Sequence, residues 1–279
     1  MILQPGIHRS IPMRDYLALD ALGSTELSWL AVSALNYRYQ KDARADRDTE
    51  STLLGSAVHM AVLEPDLYAA TYCDEPDLDA IGGARPRATR EYKDQLAELA
   101  AGGQLVLKPD VRFQVEAMAA CVRAHPKAAL LLARAPEREL TLMWDRDGRA
   151  CRGRADMLGA GVLADLKTTR SLARFNPFEL TRYGYYRQAA HYRDGLKRLG
   201  RPVDHVLLVA VESVAPYDVG VFALDQAALI YGASECEHLH ELLDRCEQTG
   251  TWPGMYPDVA VAHVTDQLAA MMAETGEAA

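Results

Sequence analysis

Asp156, Asp165 and Lys167 are the residues of this chain whose types and spacing promise chemistry. They fall in the stretch from Arg152 to Lys167, which reads as two strands joined by a tight turn at Gly159-Ala160-Gly161. Asp165 and Lys167 are two apart on the second strand, so their side chains leave the same face of the sheet. Asp156 lies near the hairpin on the neighbouring strand and adds a second carboxylate. Such a cluster among apolar strand residues is costly to bury uncompensated. A divalent cation with oxygen ligands is the natural compensation.

The elements that must position this cluster follow from the rest of the chain. It has 279 residues, 49% apolar and 25% charged, the profile of one large globular domain or a domain with a substantial lobe. No run is long and apolar enough to span a bilayer, and Met1 to Asp15 lacks the apolar segment of a secretory signal. The five cysteines, Cys73, Cys121, Cys151, Cys236 and Cys246, form no CxxC pair. This points to reduced thiols in a cytoplasmic protein and away from a zinc or iron–sulfur site. The formal charge of −9 argues against a simple basic nucleic-acid binder. Between Arg134 and Arg201, however, 15 Lys/Arg stand against 8 Asp/Glu, a surplus of seven that leaves the remainder at −16. A region of that sign could hold an anionic polymer, although solvated arginines also cluster by chance.

Residues 1–24, with Pro5, Gly6, Pro12 and Gly23, read as irregular. Ser24 is expected to cap a helix running to between Ala34 and Tyr37, followed by a polar connector with Arg38, Lys41, Arg44 and Arg47. Thr49 to Leu63 repeats apolar residues at helical spacing, with His59 at the edge of the stripe and Pro65 as stop. Taken alone, a histidine in that place is more often a packed structural residue than a ligand, while Gly55 and Ser56 permit close approach of another element. Asp74 to Arg87 reads as a loop. Helices are expected over Thr89 to Ala101, Pro109 to Ala124 and Pro126 to Leu132, with a short strand at Gln104 to Leu107. Alternation predicts strands at Glu137 to Trp144, Ala150 to Met157 and Val162 to Lys167, the first two joined at Asp147-Gly148. After a polar loop over Thr168 to Asn176, Pro177 to Leu199 reads as one long helix kinked near Gly184. Strands at His205 to Val211 and Val219 to Leu224, a helix over Asp225 to Cys246, and an irregular tail from Trp252 with a frayed end at Glu274 to Ala279 complete the chain.

The triplet Asp156, Asp165, Lys167 resembles the D-x(n)-(D/E)-x-K signature of the PD-(D/E)XK nuclease superfamily. Gln188 and Tyr192 resemble the QxxxY element on the following helix of RecB-type members. Gly55 to Pro65 resembles their upstream helix, and Glu139 the glutamate that precedes the hairpin. Over roughly residues 15–255 the chain resembles the RecE/exonuclease VIII family of phage-type exonucleases. Gly55 to Pro65, the run Cys151-Arg-Gly-Arg-Ala-Asp156 with Asp165-Leu-Lys-Thr-Thr169, and Tyr183 to Tyr192 with its Gln188-Ala-Ala-His-Tyr192 carry this likeness, and the terminal Trp252-Pro-Gly254 resembles the family's end. The stretch Gly254 to Val264 keeps the family's later aromatic and proline positions only loosely.

This resemblance implies a mixed α/β fold. A PD-(D/E)XK restriction-endonuclease-like core would occupy 136–250, a mixed central sheet flanked by helices, and a mostly helical N-terminal lobe 1–135, together one nuclease domain over 1–279. It implies one or two Mg²⁺ or Mn²⁺ ions held by Asp156, Asp165, His59 and the Leu166 carbonyl, with Glu139 beside them. Lys167 would orient or deprotonate the attacking water and neutralise the transition state. Gln188, Tyr192 and Thr168 would position the DNA backbone or the metal ligands, and Arg152, Arg154, Arg170 and Arg174 are candidates for phosphate contact. The implied activity is a metal-dependent DNA exonuclease acting on duplex ends, 5′ to 3′, leaving 3′ single strands for recombination. A homo-oligomer, in some relatives a ring, and a single-strand annealing partner go with it. The alternatives are a RecB-like structure-specific endonuclease and a catalytically inactive DNA-binding protein on the same fold.

Overall fold

The computed structural model of the protein describes residues 3–43, 50–159 and 161–261. In chain order its elements begin with β1 (Gly6–His8), α1 (Met13–Leu17), α2 (Ser24–Val32), α3 (Ala34–Ala43), α4 (Glu50–Leu63), α5 (Pro65–Thr71) and β2 (Tyr72–Asp74). Then come α6 (Leu78–Ile81), α7 (Arg90–Ala101), β3 (Leu105–Leu107), α8 (Pro109–Ala124), α9 (Pro126–Arg134), β4 (Glu137–Arg146), β5 (Arg149–Gly159) and β6 (Val162–Thr169). The last are α10 (Leu172–Arg174), α11 (Leu180–Arg182), α12 (Tyr185–Arg198), β7 (His205–Glu212), β8 (Val219–Ala223) and α13 (Gln226–Thr249). Arg44 and Arg47 of the expected connector, Thr49, Ala160 of the expected turn, and the tail from Ala262, including Glu274 to Ala279, lie outside the described residues.

Asp147 and Gly148 both take positive φ, +55° and +89°, the two-residue turn that matches strand twist. That turn registers β4 on β5, and the six-stranded sheet has the order β1-β4-β5-β6-β7-β8. β6 and β7 run parallel and the other neighbours antiparallel, with α12 in the connection between β6 and β7. Helices cover both faces. One face packs Leu140, Leu142, Trp144, Ala155 and Leu163 against α12, α13 and α2. The other packs Met157, Ala164, Leu166 and Val209 against α4 and α8. This is the expected mixed α/β sheet flanked by helices. No helix of the described residues is long and apolar enough to cross a membrane.

Several local expectations change, each for a nonlocal or capping reason. Residues 1–24 are not wholly irregular, because β1 gains its ladder from the edge of β4. Gly23, not Ser24, occupies the cap of α2, its N–H held by the Glu26 carboxylate at 3.1 Å. The helix expected to reach Tyr37 divides at Ser33, which is extended and accepts the Asn36 N–H at 3.0 Å to start α3. The expected loop from Asp74 contains the end of β2, paired in parallel with β3, and α6, capped by the Asp77 carboxylate. The kink expected near Gly184 is there (φ +64°, with a Cβ meeting the Arg187 guanidinium at 2.4 Å), but it is a full break that leaves only the short α11 before α12. The Trp252 ring stacks on Tyr37 with centroids 5.8 Å apart, and Pro253 accepts the Leu35 N–H at 3.0 Å, so the segment after α13 is docked on α3.

Two expectations about stability follow. A Cβ on Gly232 of α13 would lie 2.4 Å from the Tyr186 carbonyl oxygen of α12. Gly232→Ala, which in an exposed helix would gain about 1 kcal/mol, is expected instead to destabilise by about 1–3 kcal/mol through overpacking, read from urea denaturation midpoints. Glu75 accepts from both Arg87 donors at 2.6 and 2.7 Å and from the Tyr92 hydroxyl at 2.6 Å. These bonds, Arg87 foremost, lower its pKa from 4.5 to about 2. A depressed carboxyl adds stability above its ordinary pKa and loses it as pH falls toward the folded value. The stability difference between wild type and Glu75→Gln should therefore be present at pH 6 and shrink between pH 4.5 and pH 2.

Candidate active site

β5 and β6 pair only through Met157↔Ala164, Leu158↔Leu163 and Gly159↔Val162, and then part. Where the next rung would stand, Asp156 Oδ2 accepts the Leu166 N–H at 2.7 Å. The register of β4 on β5 runs Arg138↔Met157 and Leu140↔Ala155, which sets Glu139 across from Asp156. Glu139, Asp156 and Asp165 thus stand at one level on three adjacent strands. Side-chain alternation slips there. Ala155 packs under α12, whereas Met157, two residues on, packs under α4 and α8. Glu139 takes φ +48°, a conformation costing a non-glycine residue about 1–2 kcal/mol. Its carboxylate is gripped by Arg154 Nε at 2.6 Å.

α4 brings His59 to this row from upstream, with Nδ1 at 3.5 Å from Asp156 Oδ2 and 4.0 Å from Glu139 Oε1. Burial opposes charging His59, but Asp156, Glu139 and Asp165 outweigh it and raise its pKa. Burial, then Asp165, raises the pKa of Asp156, while His59 pulls it down. On the other side of the row Lys167 Nζ lies 2.6 Å from Asp165 Oδ2, donates to Gln188 Oε1 at 3.1 Å, and sits 4.8 Å over the Tyr185 ring. Burial acts against its charge, but Asp165 and Asp156 prevail and keep it protonated. In this metal-free arrangement the neighbouring carboxylates favour its charged form.

The residues expected from the resemblance are therefore brought together, with different duties for some. Gln188 donates to Asp165 Oδ1 at 2.9 Å and so joins the acid to the ammonium. Tyr192 does not face the open side of the site. It is buried over Gly153, where a Cβ would lie 2.8 Å from its ring, and its hydroxyl lies 3.4 Å from that of Ser24. Strand residues send N–H and C=O to the same edge, so the Leu166 carbonyl faces the gap that its N–H spans. Thr168 is half-buried opposite Gly55, 3.6 Å from a Cβ built there. Arg152 is not a phosphate contact. It is buried, donates to the Tyr16, Leu17 and Leu19 carbonyls, and pairs with Glu26 at 2.5 Å. Arg154 is likewise spent on Glu139 and the Ile11 carbonyl. Arg170 and Arg174 are exposed.

Three participants were not singled out from sequence. Arg154 as a clamp on Glu139 and Tyr185 as the floor under Lys167 depend on cross-element geometry. Glu64, at the end of α4, has its pKa raised by burial and by Glu139, which marks it as a neighbour of the cluster. Its place beside the helix carrying His59 is the one signal that could have found it.

One atom each of His59, Glu139 and Asp156 can be chosen so that all lie within 4.8 Å of one another. A set of carboxylates, one imidazole and an adjacent strand carbonyl suits Mg²⁺ or Mn²⁺. The residues present therefore fit a divalent ion, which would be held by His59, Glu139 and Asp156, whose ligand atoms converge, while Asp165 directs its oxygens to Lys167 and Gln188.

A family model described as "PDDEXK-like domain of unknown function (DUF3799)" matches residues 26–260. A solved structure from Eubacterium rectale, described as a "Putative exonuclease", superposes with a TM-score of 0.60 at 13% identity, covering 96% of this chain and 99% of that one. At that identity the likeness speaks to the fold. A second structure, of SSO0001, covers 75% of this chain and 84% of its own at 14% identity, with a TM-score of 0.27 that carries no argument. No curated protein matches.

If the acid row holds a divalent ion, Mn²⁺ at about 100 times its dissociation constant should stabilise the folded chain by about 2.7 kcal/mol. Differential scanning fluorimetry should then show the melting temperature rising by about 5 °C. Asp156→Asn should remove that rise while folding normally in EDTA. An undiminished rise in the variant would move the ion elsewhere.

Proposed function

This chain belongs to a family of PDDEXK-like domains, and we propose that it is a metal-dependent exodeoxyribonuclease acting on ends of linear double-stranded DNA. The observation that carries the reading is the row itself. Glu139, Asp156 and Asp165 stand on adjacent strands, with His59 on one side and Lys167 on the other. The 5′ to 3′ polarity, the 3′ single-stranded product, a homo-oligomeric assembly of the kind that forms rings in some relatives, and an annealing-protein partner rest on the RecE-type resemblance and belong to the proposal with it.

His59, Glu139 and Asp156 would hold a divalent ion, which when bound would supply an activated water and charge to offset that on the scissile phosphate. The protein's own groups do the rest. Asp156, fixed by the Leu166 N–H, and Glu139, fixed by Arg154, hold the ligand set rigid. The Lys167 ammonium, aimed by Asp165 and Gln188, faces the charge that develops on the phosphate and stabilises it. Preorganised charge of this kind needs no rearrangement during the reaction. Burial of the cluster strengthens it by excluding water.

End-labelled linear duplex should be degraded with Mg²⁺ or Mn²⁺ and not with EDTA, while covalently closed circles stay intact. Lys167→Ala and Asp165→Ala should each lower the rate about 100-fold or more. Nicking of the circle would favour the structure-specific endonuclease. Hydrolysis that survives Asp165→Ala would remove the assignment of the site, and DNA binding without any hydrolysis would favour the inactive binding protein.

A further inference from the structure

The chain between the catalytic strand and the helix carrying Gln188 is built as an exposed platform. Phe175 anchors it, fully buried against Phe222 at 4.9 Å and Tyr185 at 5.8 Å between ring centroids. Thr169 donates its hydroxyl to Glu179 at 2.7 Å, and Glu212 of β7 accepts the Leu172 N–H at 2.7 Å. The segment is thereby pinned to the ends of β6 and β7. Its outer surface has the opposite character. Phe178 is 70% exposed and Tyr183 50% exposed. Arg170, Arg174 and Arg182 are exposed, and none has a carboxylate within ion-pair distance among the described residues.

These groups connect to the reacting end of the site. The Lys167 ammonium lies over Tyr185, the Tyr185 ring is 5.6 Å from Tyr183, and the Arg182 guanidinium is 5.5 Å from the centre of Tyr183. A run of rings and cations thus leads outward from the catalytic amine. Exposed aromatic faces with unpaired arginines are the combination that holds unpaired nucleotides, since every base has a face to stack and every linkage a phosphate. A duplex conceals its base faces, so exposed rings beside unpaired cations favour an unpaired strand.

We propose that the segment from Arg170 to Gly184 receives an unpaired strand terminus, with bases stacking on Tyr183 and Phe178 and phosphates held by Arg170, Arg174 and Arg182. This deepens the nuclease reading and rests on it. The occupant is a single-stranded end frayed from the duplex, presented beside Lys167.

The test is equilibrium binding in EDTA, where no hydrolysis occurs, followed by fluorescence anisotropy. The probes are a fluorescein-labelled twelve-nucleotide oligo(dT) and a blunt hairpin duplex with the same number of phosphates. Phe178→Ala with Tyr183→Ala should weaken oligo(dT) binding about tenfold and duplex binding less than twofold. Tyr183→Phe, which keeps the ring, should bind as wild type. Replacing Arg170, Arg174 and Arg182 by Gln should flatten the dependence of log affinity for oligo(dT) on log salt by about 2. Unchanged oligo(dT) affinity in the double variant, equal losses on both probes, or a wild type that binds neither would overturn the platform. The nuclease reading is judged separately. Loss of the aromatic effect with linear duplex still degraded sinks the platform alone, and binding that responds as expected without hydrolysis sinks the nuclease alone.

Discussion

The parting of β5 from β6 is the constraint on which the rest of the molecule depends. Strands that stayed paired past Met157 and Ala164 would bury Asp156 against a ladder that already satisfies itself. Once they part, the Leu166 N–H needs an acceptor, and the Asp156 carboxylate supplies it at 2.7 Å. The opening places three acids within one neighbourhood, and burying each would cost several kcal/mol unpaired. Compensation comes from three directions: Arg154 on the same strand as Asp156, Lys167 on the next, and His59 from α4. With all three acids ionised and His59 protonated, the cluster is neutral. A divalent cation in place of the His59 proton leaves it one charge positive, the sign that favours a phosphodiester. The same arrangement that makes the fold tolerable without metal therefore makes it receptive with one.

Keeping strands apart requires a frame that does not relax, and small residues provide it. Tyr192 lies on Gly153, where even a methyl group would collide with the ring. The Trp144 ring leaves no room for a Cβ on Gly195, and the Tyr186 carbonyl leaves none on Gly232. These approaches clamp α12 between the sheet and α13. Gln188 rides on α12, so its two hydrogen bonds to Asp165 and Lys167 have the precision of that packing. Gly153 and Tyr192 belong to the two motifs that carry the resemblance, and here they are the two sides of one contact. The motif tyrosine thus acts through shape, one layer beneath the chemistry.

What the sequence makes legible divides by range. The β4–β5 hairpin was readable because Asp147-Gly148 dictates the turn locally, and the α7, α8 and α9 helices because their caps and stripes lie within a few residues. β1 was not, because three residues become a strand only when β4 offers an edge. β2 failed for the same reason with respect to β3. Asp156, Asp165 and Lys167 could be placed on one site from strand spacing, since the hairpin itself brings them together. His59 could not be placed so, because nothing local distinguishes a ligand histidine from a packed one. Only the resemblance pointed to it, and the 3.5 Å approach to Asp156 is tertiary. Arg152 and Arg154 misled for the complementary reason. Their charge was visible, and the carbonyls and acids that consume it were not.

The arginine-rich interval makes the same point about charge. Its surplus of seven suggested a surface for an anionic polymer. In three dimensions Arg146 pairs with Asp194 and Glu237, Arg149 with Asp244 and Glu247, and Arg187 with Glu235. Most of those acids sit on α13, outside the interval, so the two halves of the asymmetry largely neutralise each other across the helix layer. Among the described residues Arg134 and Lys197 of the interval also stay exposed without an acid, and Arg170, Arg174 and Arg182 are the ones that follow directly on the catalytic strand. A protein of net charge −9 repels DNA at long range. At physiological salt that repulsion is screened beyond about 8 Å, so a local group of three unpaired arginines can govern approach where the whole molecule cannot. The residual pattern of charge after pairing, rather than the count along the chain, is what bears on where a nucleic acid would meet this surface.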